Sequence, residues 1–128
     1  MARTPRGDFP CIPGCPVEYT LSVVGGKWKG AILFHLMRTD TLRFNELRRR
    51  LTKITQRMLT LQLRELEEAG LVLRVVYPEV PPRVEYSLTR RGRSLEPVIR
   101  ALESWGRSQI PPADLVEADA EAEAVTSP

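Results

Sequence analysis

Gln56, Arg57, Thr60, Leu61 and Arg64 are spaced so that a helix would gather them on one side, opposite Leu59, Leu63 and Leu66. An arginine fork can bond guanine O6 and N7, and a glutamine amide can pair with adenine. An outward Leu61 or the Thr60 methyl can touch the methyl group of thymine. Glu65, Glu67 and Glu68 lie toward the other end of the segment. Entering a DNA groove N-terminus first, such a helix offers phosphate its positive dipole end and holds its acids away. The plainer alternative is a surface helix whose Arg57, Arg64 and Glu68 merely form ion pairs at i, i+4 and neighbouring spacings. Lys53 and Thr55 precede the segment, with Thr55 placed to cap it. Arg83 is the one cation in a loop between two strand-like runs, where it would reach phosphate or the minor groove. These eight residues form the expected DNA-binding set. Of the run Arg48, Arg49 and Arg50, at most one or two are assigned to phosphate, since a charge run is usually a solvated face.

Other reactive side chains are few. The chain has two cysteines, Cys11 and Cys15, and one histidine, His35. Two thiols and one imidazole fall short of a closed zinc site, so no metal and no cofactor are expected. An enzyme would need a convergent acid, base or nucleophile, or a glycine-rich phosphate loop, and the sequence offers neither. His35 sits in an apolar stretch one turn from Ile32, which predicts a core histidine with one satisfied nitrogen. The C-x3-C pair leaves an intrachain disulfide, an intersubunit disulfide and two thiols all open.

The elements that must position these groups follow from pattern. At 128 residues the chain fits one domain. Residues 1–14 are too rich in Pro, Gly and Arg to bury a face and predict a flexible arm. Pro16 opens a short helix with Val17, Leu21 and Val24 on one side, ended by Gly25 and Gly26. Residues 27–37 are apolar nearly all round and predict a buried central helix. Residues 39–43 read as a polar connection, and Phe44, Leu47 and Leu51 mark a third helix. Four residues then lead to the helix that starts after Thr55 and stops at Gly70, so the pair is a helix-turn-helix candidate. Residues 71–77 and 84–88 change to strand-like patterns around the turn sequence PEVPPR, giving a β-hairpin. Thr89 then caps one last helix bearing Leu95, Val98, Ile99, Leu102 and Trp105 in a stripe. The fold class is mostly α with a β-hairpin wing, a winged helix-turn-helix over residues 15–110. Residues 111–128 predict a disordered acidic tail.

The winged core is expected to close without the last helix. Its stripe, with Val17 and Leu21 of the first helix, is therefore expected to join two copies in a homodimer. A dimer sets two reading helices about one DNA turn apart and implies a pseudo-palindromic operator. All 19 Lys and Arg precede position 111 while 11 of the 16 acids do, so that part of the chain carries a formal charge of +8. Sixteen of the cations are arginine, which favours double-stranded DNA as partner. A winged helix used only for protein contacts is the second reading, though it would more often show an apolar patch where the arginines stand. No apolar run approaches a membrane span and no signal sequence is visible, so a cytoplasmic protein without membrane contact is expected. No feature identifies a small-molecule effector.

From Cys15 to Trp105, about 90 of the 128 residues, the chain resembles the HxlR-type regulators, winged-helix proteins related to the MarR group. The resemblance rests on Cys15-Pro16, Gly25-Gly26-Lys27-Trp28, Arg43-Phe44-Asn45-Glu46-Leu47, Ile54-Thr55 and Leu59-Thr60. It continues through Leu66-Glu67-Glu68-Ala69-Gly70-Leu71-Val72, Pro81-Pro82-Arg83-Val84-Glu85-Tyr86 and Leu88-Thr89. Lys53 departs from it, since many relatives carry glycine there. The resemblance implies dimers formed by the terminal helices, operator binding, and repression more often than activation of a neighbouring gene. It also implies a role for Cys15, because some members sense electrophiles or oxidants with the cysteine at this position, while many others have no such role. A thiolate at a helix N-terminus gains from the dipole, and Arg3 or Arg6 would add positive potential.

Overall fold

A computed structural model describes residues 14–115. The expected arm, apart from Gly14, lies outside the described residues, as do Cys11 and the acidic tail from position 116. The first two helices are α1 (Pro16–Val24) and α2 (Lys29–Arg38). Pro16 opens α1, and Gly25 closes it because a Cβ there would stand 2.1 Å from the Leu21 carbonyl oxygen. Lys27 and Trp28 belong to the turn, so α2 begins two residues later than its apolar pattern suggests. Its Ile32, Leu33 and Leu36 are fully buried, as expected of a central helix.

Helices α3 (Phe44–Leu51) and α4 (Gln56–Glu68) form the helix-turn-helix pair. The Glu46 carboxylate accepts the Arg43 amide at 2.9 Å and fixes the start of α3. Thr55 Oγ1 accepts the Met58 amide at 3.1 Å and does the same for α4. At the far end, Gly70 takes a left-handed φ of 76°. Its amide bonds to the Glu67 carbonyl at 2.9 Å, and that of Leu71 to Leu66 at 3.0 Å. This Schellman ending halts the helix at the expected glycine.

The strands β2 (Val72–Tyr77) and β3 (Arg83–Leu88) pair antiparallel from Val72 opposite Leu88 to Tyr77 opposite Arg83. A third strand, β1 (Leu42–Arg43), adds to the other side of β3 with Leu42 opposite Tyr86, giving the order β1-β3-β2. Residues 39–43 are thus more than a connection. A two-residue strand shows no period of its own, and only its partner reveals it.

The last helix is two. α5 (Arg90–Arg93) is capped by Thr89, whose Oγ1 accepts the Gly92 amide at 3.0 Å, and α6 (Glu96–Gln109) begins around Pro97. Proline has no amide for the Arg93 carbonyl, so the ladder stops and restarts there. A further helical turn covers residues 112–115.

The core is a single cluster reaching from Val24 through Leu33, Leu47, Leu59 and Leu63 to Ile99. Its last member corrects an expectation. Ile99 is 2% exposed and packs inside its own protomer, and Leu95 leans on the same cluster, so neither belongs to a face for another copy. The core is closed by α6 as well as by α2, α3, α4 and the sheet. Val98 is half-buried, while Val17, Leu21, Leu102 and Trp105 stay exposed, Trp105 by 70%.

Candidate nucleic-acid interface

Helix α4 is held from behind and open in front. Leu59, Leu63 and Leu66 are buried, and Lys29 of α2 pairs with Glu65 at 3.0 Å. On the outward side Gln56, Arg57, Leu61 and Arg64 are exposed and Thr60 is half-buried. Among the described residues neither Arg57 nor Arg64 makes an ion pair, so the plain surface-helix alternative finds no pair to rest on. The Thr60 hydroxyl donates to the Gln56 carbonyl at 2.9 Å, which leaves its methyl as the outward group. Lys53 is exposed in the turn before the helix. Thr55 is exposed too, but its oxygen is occupied with capping.

Arg83 does not stand at the loop tip. It is the first residue of β3, opposite Tyr77, and its guanidinium lies 4.1 Å from the centre of that ring. The same group pairs with Glu79 at 3.1 Å and Glu85 at 3.4 Å. Counting strand residues from sequence put Arg83 in the turn because it adjoins Pro82. These pairs are partly exposed and worth about 0–1 kcal/mol each, so Arg83 would have to exchange them to meet a phosphate.

The residue that sequence reasoning missed is Arg74 on β2. It lies opposite Tyr86 and lines a cleft of about 370 Å³ with Gln56, Thr60 and Arg64 of α4. Strand alternation was the available signal. Arg74 shares a face with Val72, which is buried, so it points toward the helices rather than away.

The arginine run of α3 divides in two. Arg48 and Arg49 are exposed, whereas Arg50 is half-buried with its Nε sealed from water and without a hydrogen-bond partner among the described residues. Burial first, then the charge of Arg38, lowers the Arg50 pKa, and Glu46 opposes that shift. His35 lies near both arginines. Its ring packs edge-on to Phe34 at 5.3 Å, and Nδ1 is sealed from water without a hydrogen-bond partner among the described residues. Burial, then Arg50 and Arg38, pushes its pKa down from 6.5 to about 4, so the imidazole is neutral at pH 7.

Cys15 is half-buried at the N-cap of α1. Among the described residues no group of three or more His, Cys, Asp and Glu gathers to hold a metal, and no helix is long and apolar enough to cross a membrane.

Comparison with known proteins agrees with this geometry. The family model of HxlR-like helix-turn-helix proteins matches residues 23–114. The HTH-type transcriptional regulator YdeP of Bacillus subtilis strain 168 is 57% identical over 110 residues, covering 86% of this chain and 85% of its own. The redox regulator HypR in its oxidized form superposes with a TM-score of 0.72 at 58% identity, covering 76% of this chain and 99% of its own. A MarR-family structure from Porphyromonas gingivalis W83 gives a TM-score of 0.73 at 36% identity, over 78% of this chain and 97% of its own. With an outward helix of unpaired arginines, a wing beside it and this match across most of its length, the chain belongs to the HxlR-like helix-turn-helix family of DNA-binding transcriptional regulators.

Proposed function

We propose that the chain acts in the cytoplasm as a homodimeric repressor, reading a pseudo-palindromic operator beside its own gene with the outward face of α4. The unpaired Arg57 and Arg64 flanking Thr60 and Leu61 carry this reading, since nothing else in the fold requires them there. Two copies would join through Val17, Leu21, Leu102 and Trp105, exposed apolar side chains of the two terminal helices. A dimer seated on an operator excludes polymerase from an overlapping promoter, which makes repression the expected sign.

A footprint on the adjacent intergenic DNA tests the proposal, with affinity measured for that site and for random duplex near physiological salt. Preference for the site, with a log–log salt slope near −0.9 per neutralised phosphate, is expected. Equal affinity for both duplexes would remove sequence reading and favour a protein-interaction module. Replacing Arg57 by Ala is expected to cost roughly 1 to 3 kcal/mol per half-site and relax specificity at one base pair in each.

A redox input is the second reading. HypR is a redox regulator known in oxidized and reduced forms, and Cys15 here occupies a helix N-cap. In that reading an oxidant accepts two electrons and two protons from two thiols, Cys15 and either Cys11 or a cysteine of the second copy, and the disulfide alters operator affinity.

A further inference from the structure

Arg83 is engaged by Glu79, Glu85 and the Tyr77 ring, and the wing carries a second cation, Arg74, with no ion pair among the described residues. Arg74 is exposed on β2, yet it belongs to the sheet face whose neighbour Tyr86 is only 7% exposed, so it emerges at the seam between sheet and α4. Arg64 reaches the same cleft from α4. Two guanidinium groups thus border one polar cleft, and neither makes an ion pair among the described residues, although Glu67 lines the cleft as well. Like charges so placed repel until an anion sits between them.

We propose that Arg64 and Arg74 together hold one backbone phosphate of the bound duplex at the seam between α4 and the wing. The inference rests on the DNA-binding reading above and adds a residue to it. The ligand class is a phosphate oxyanion, for which the arginine fork is suited. Its place also explains a charge boundary along α4. Arg57 and Arg64 precede Glu67 and Glu68, and Glu67 borders the cleft itself, so the phosphate must lie on the Arg64 and Arg74 side, away from that carboxylate. Because the contact is to phosphate, it positions the protein on the duplex and reads no base.

The test compares Arg74→Gln, Arg74→Lys and Glu67→Gln with wild type on operator and on random duplex across a salt series. Arg74→Gln is expected to weaken both duplexes by the same factor and to reduce the magnitude of the salt slope by about 0.9 per protomer, about 1.8 for the bound dimer. Between roughly 50 and 200 mM salt, the advantage of wild type over Arg74→Gln then shrinks about 12-fold for the dimer. Arg74→Lys should keep the slope, and Glu67→Gln should tighten binding to both duplexes. An operator scanned with neutral methylphosphonates placed at symmetry-related positions in both half-sites distinguishes a backbone phosphate from free anion held in the cleft. At one such pair of positions the Arg74→Gln penalty must vanish, and a penalty surviving at every pair overturns the assignment. Wild-type binding with an unchanged slope in Arg74→Gln overturns the inference and leaves DNA recognition standing. A wild-type protein that binds neither duplex overturns both.

Discussion

His35 is the chain's only histidine, so its contribution to stability can be isolated by one substitution. Burial, reinforced by Arg50 and Arg38, holds its folded pKa at about 4 against an ordinary 6.5. Above pH 6.5 the imidazole is neutral in both folded and unfolded chains and stability is at its full value. Between 6.5 and about 4 the unfolded chain takes up a proton that the folded chain refuses, so stability falls as pH falls. Below about 4 the folded form is protonated too and the loss levels off. Linkage puts the loss at about 2 kcal/mol by pH 5 and about 3 kcal/mol at the plateau. Equilibrium urea unfolding of wild type and His35→Gln at pH 7.5, 6 and 5 is the assay, at one fixed protein concentration because association contributes to the apparent value. The wild type should lose about 2 kcal/mol relative to the variant between pH 7.5 and 5, the remaining titrations being common to both. An imidazole resonance in the folded protein that titrates near its ordinary value, or two stability curves that stay parallel, would refute the reasoning.

Trp105→Arg, at a side chain 70% exposed in the protomer, should leave the helical circular dichroism unchanged while raising the dimer dissociation constant at least about 30-fold by sedimentation. An unaltered sedimentation coefficient at micromolar concentration would place the dimer contact elsewhere. Diamide or quinone treatment should change the operator affinity of wild type and not of Cys15→Ser, with Cys11→Ser showing whether the second thiol is needed. Equal affinity in every treated and untreated sample would retire the redox input.

Where pattern and partner coincide, the sequence was legible. The core face of α4 could be read from Leu59, Leu63 and Leu66 because a 3.6-residue period and burial describe the same thing there. Its start and end were legible because Thr55 and Gly70 act on their own neighbours in the chain. Failures came where a residue's role depends on a distant one. Leu42 becomes a strand only by pairing with Tyr86, and Arg83 is withdrawn from the wing tip only because Tyr77, Glu79 and Glu85 surround it. Ile99 was misplaced for a subtler reason. An apolar stripe does not say whether its two edges face the same neighbour, and that of α6 divides between its own core and the outside. The cleft bordered by Arg74 required both the sheet register and the docking of α4, neither of which is local.

Thr89 has a second role besides capping α5. Its hydroxyl also donates to the Gly70 carbonyl at 2.5 Å, so one side chain fastens the end of α4 to the start of the segment that leads into α6. That makes the C-terminal end of α4 a fulcrum and its N-terminal end the moving tip of a lever. Thirteen residues span about 20 Å, so a tilt of about 10° at Gly70 carries Gln56 through about 3 Å, close to the rise of one base pair. Leu59 and Leu63 ride on the same rod, so a rearrangement of α6 that put the reading end of α4 out of step with the groove would also have to repack the core behind it.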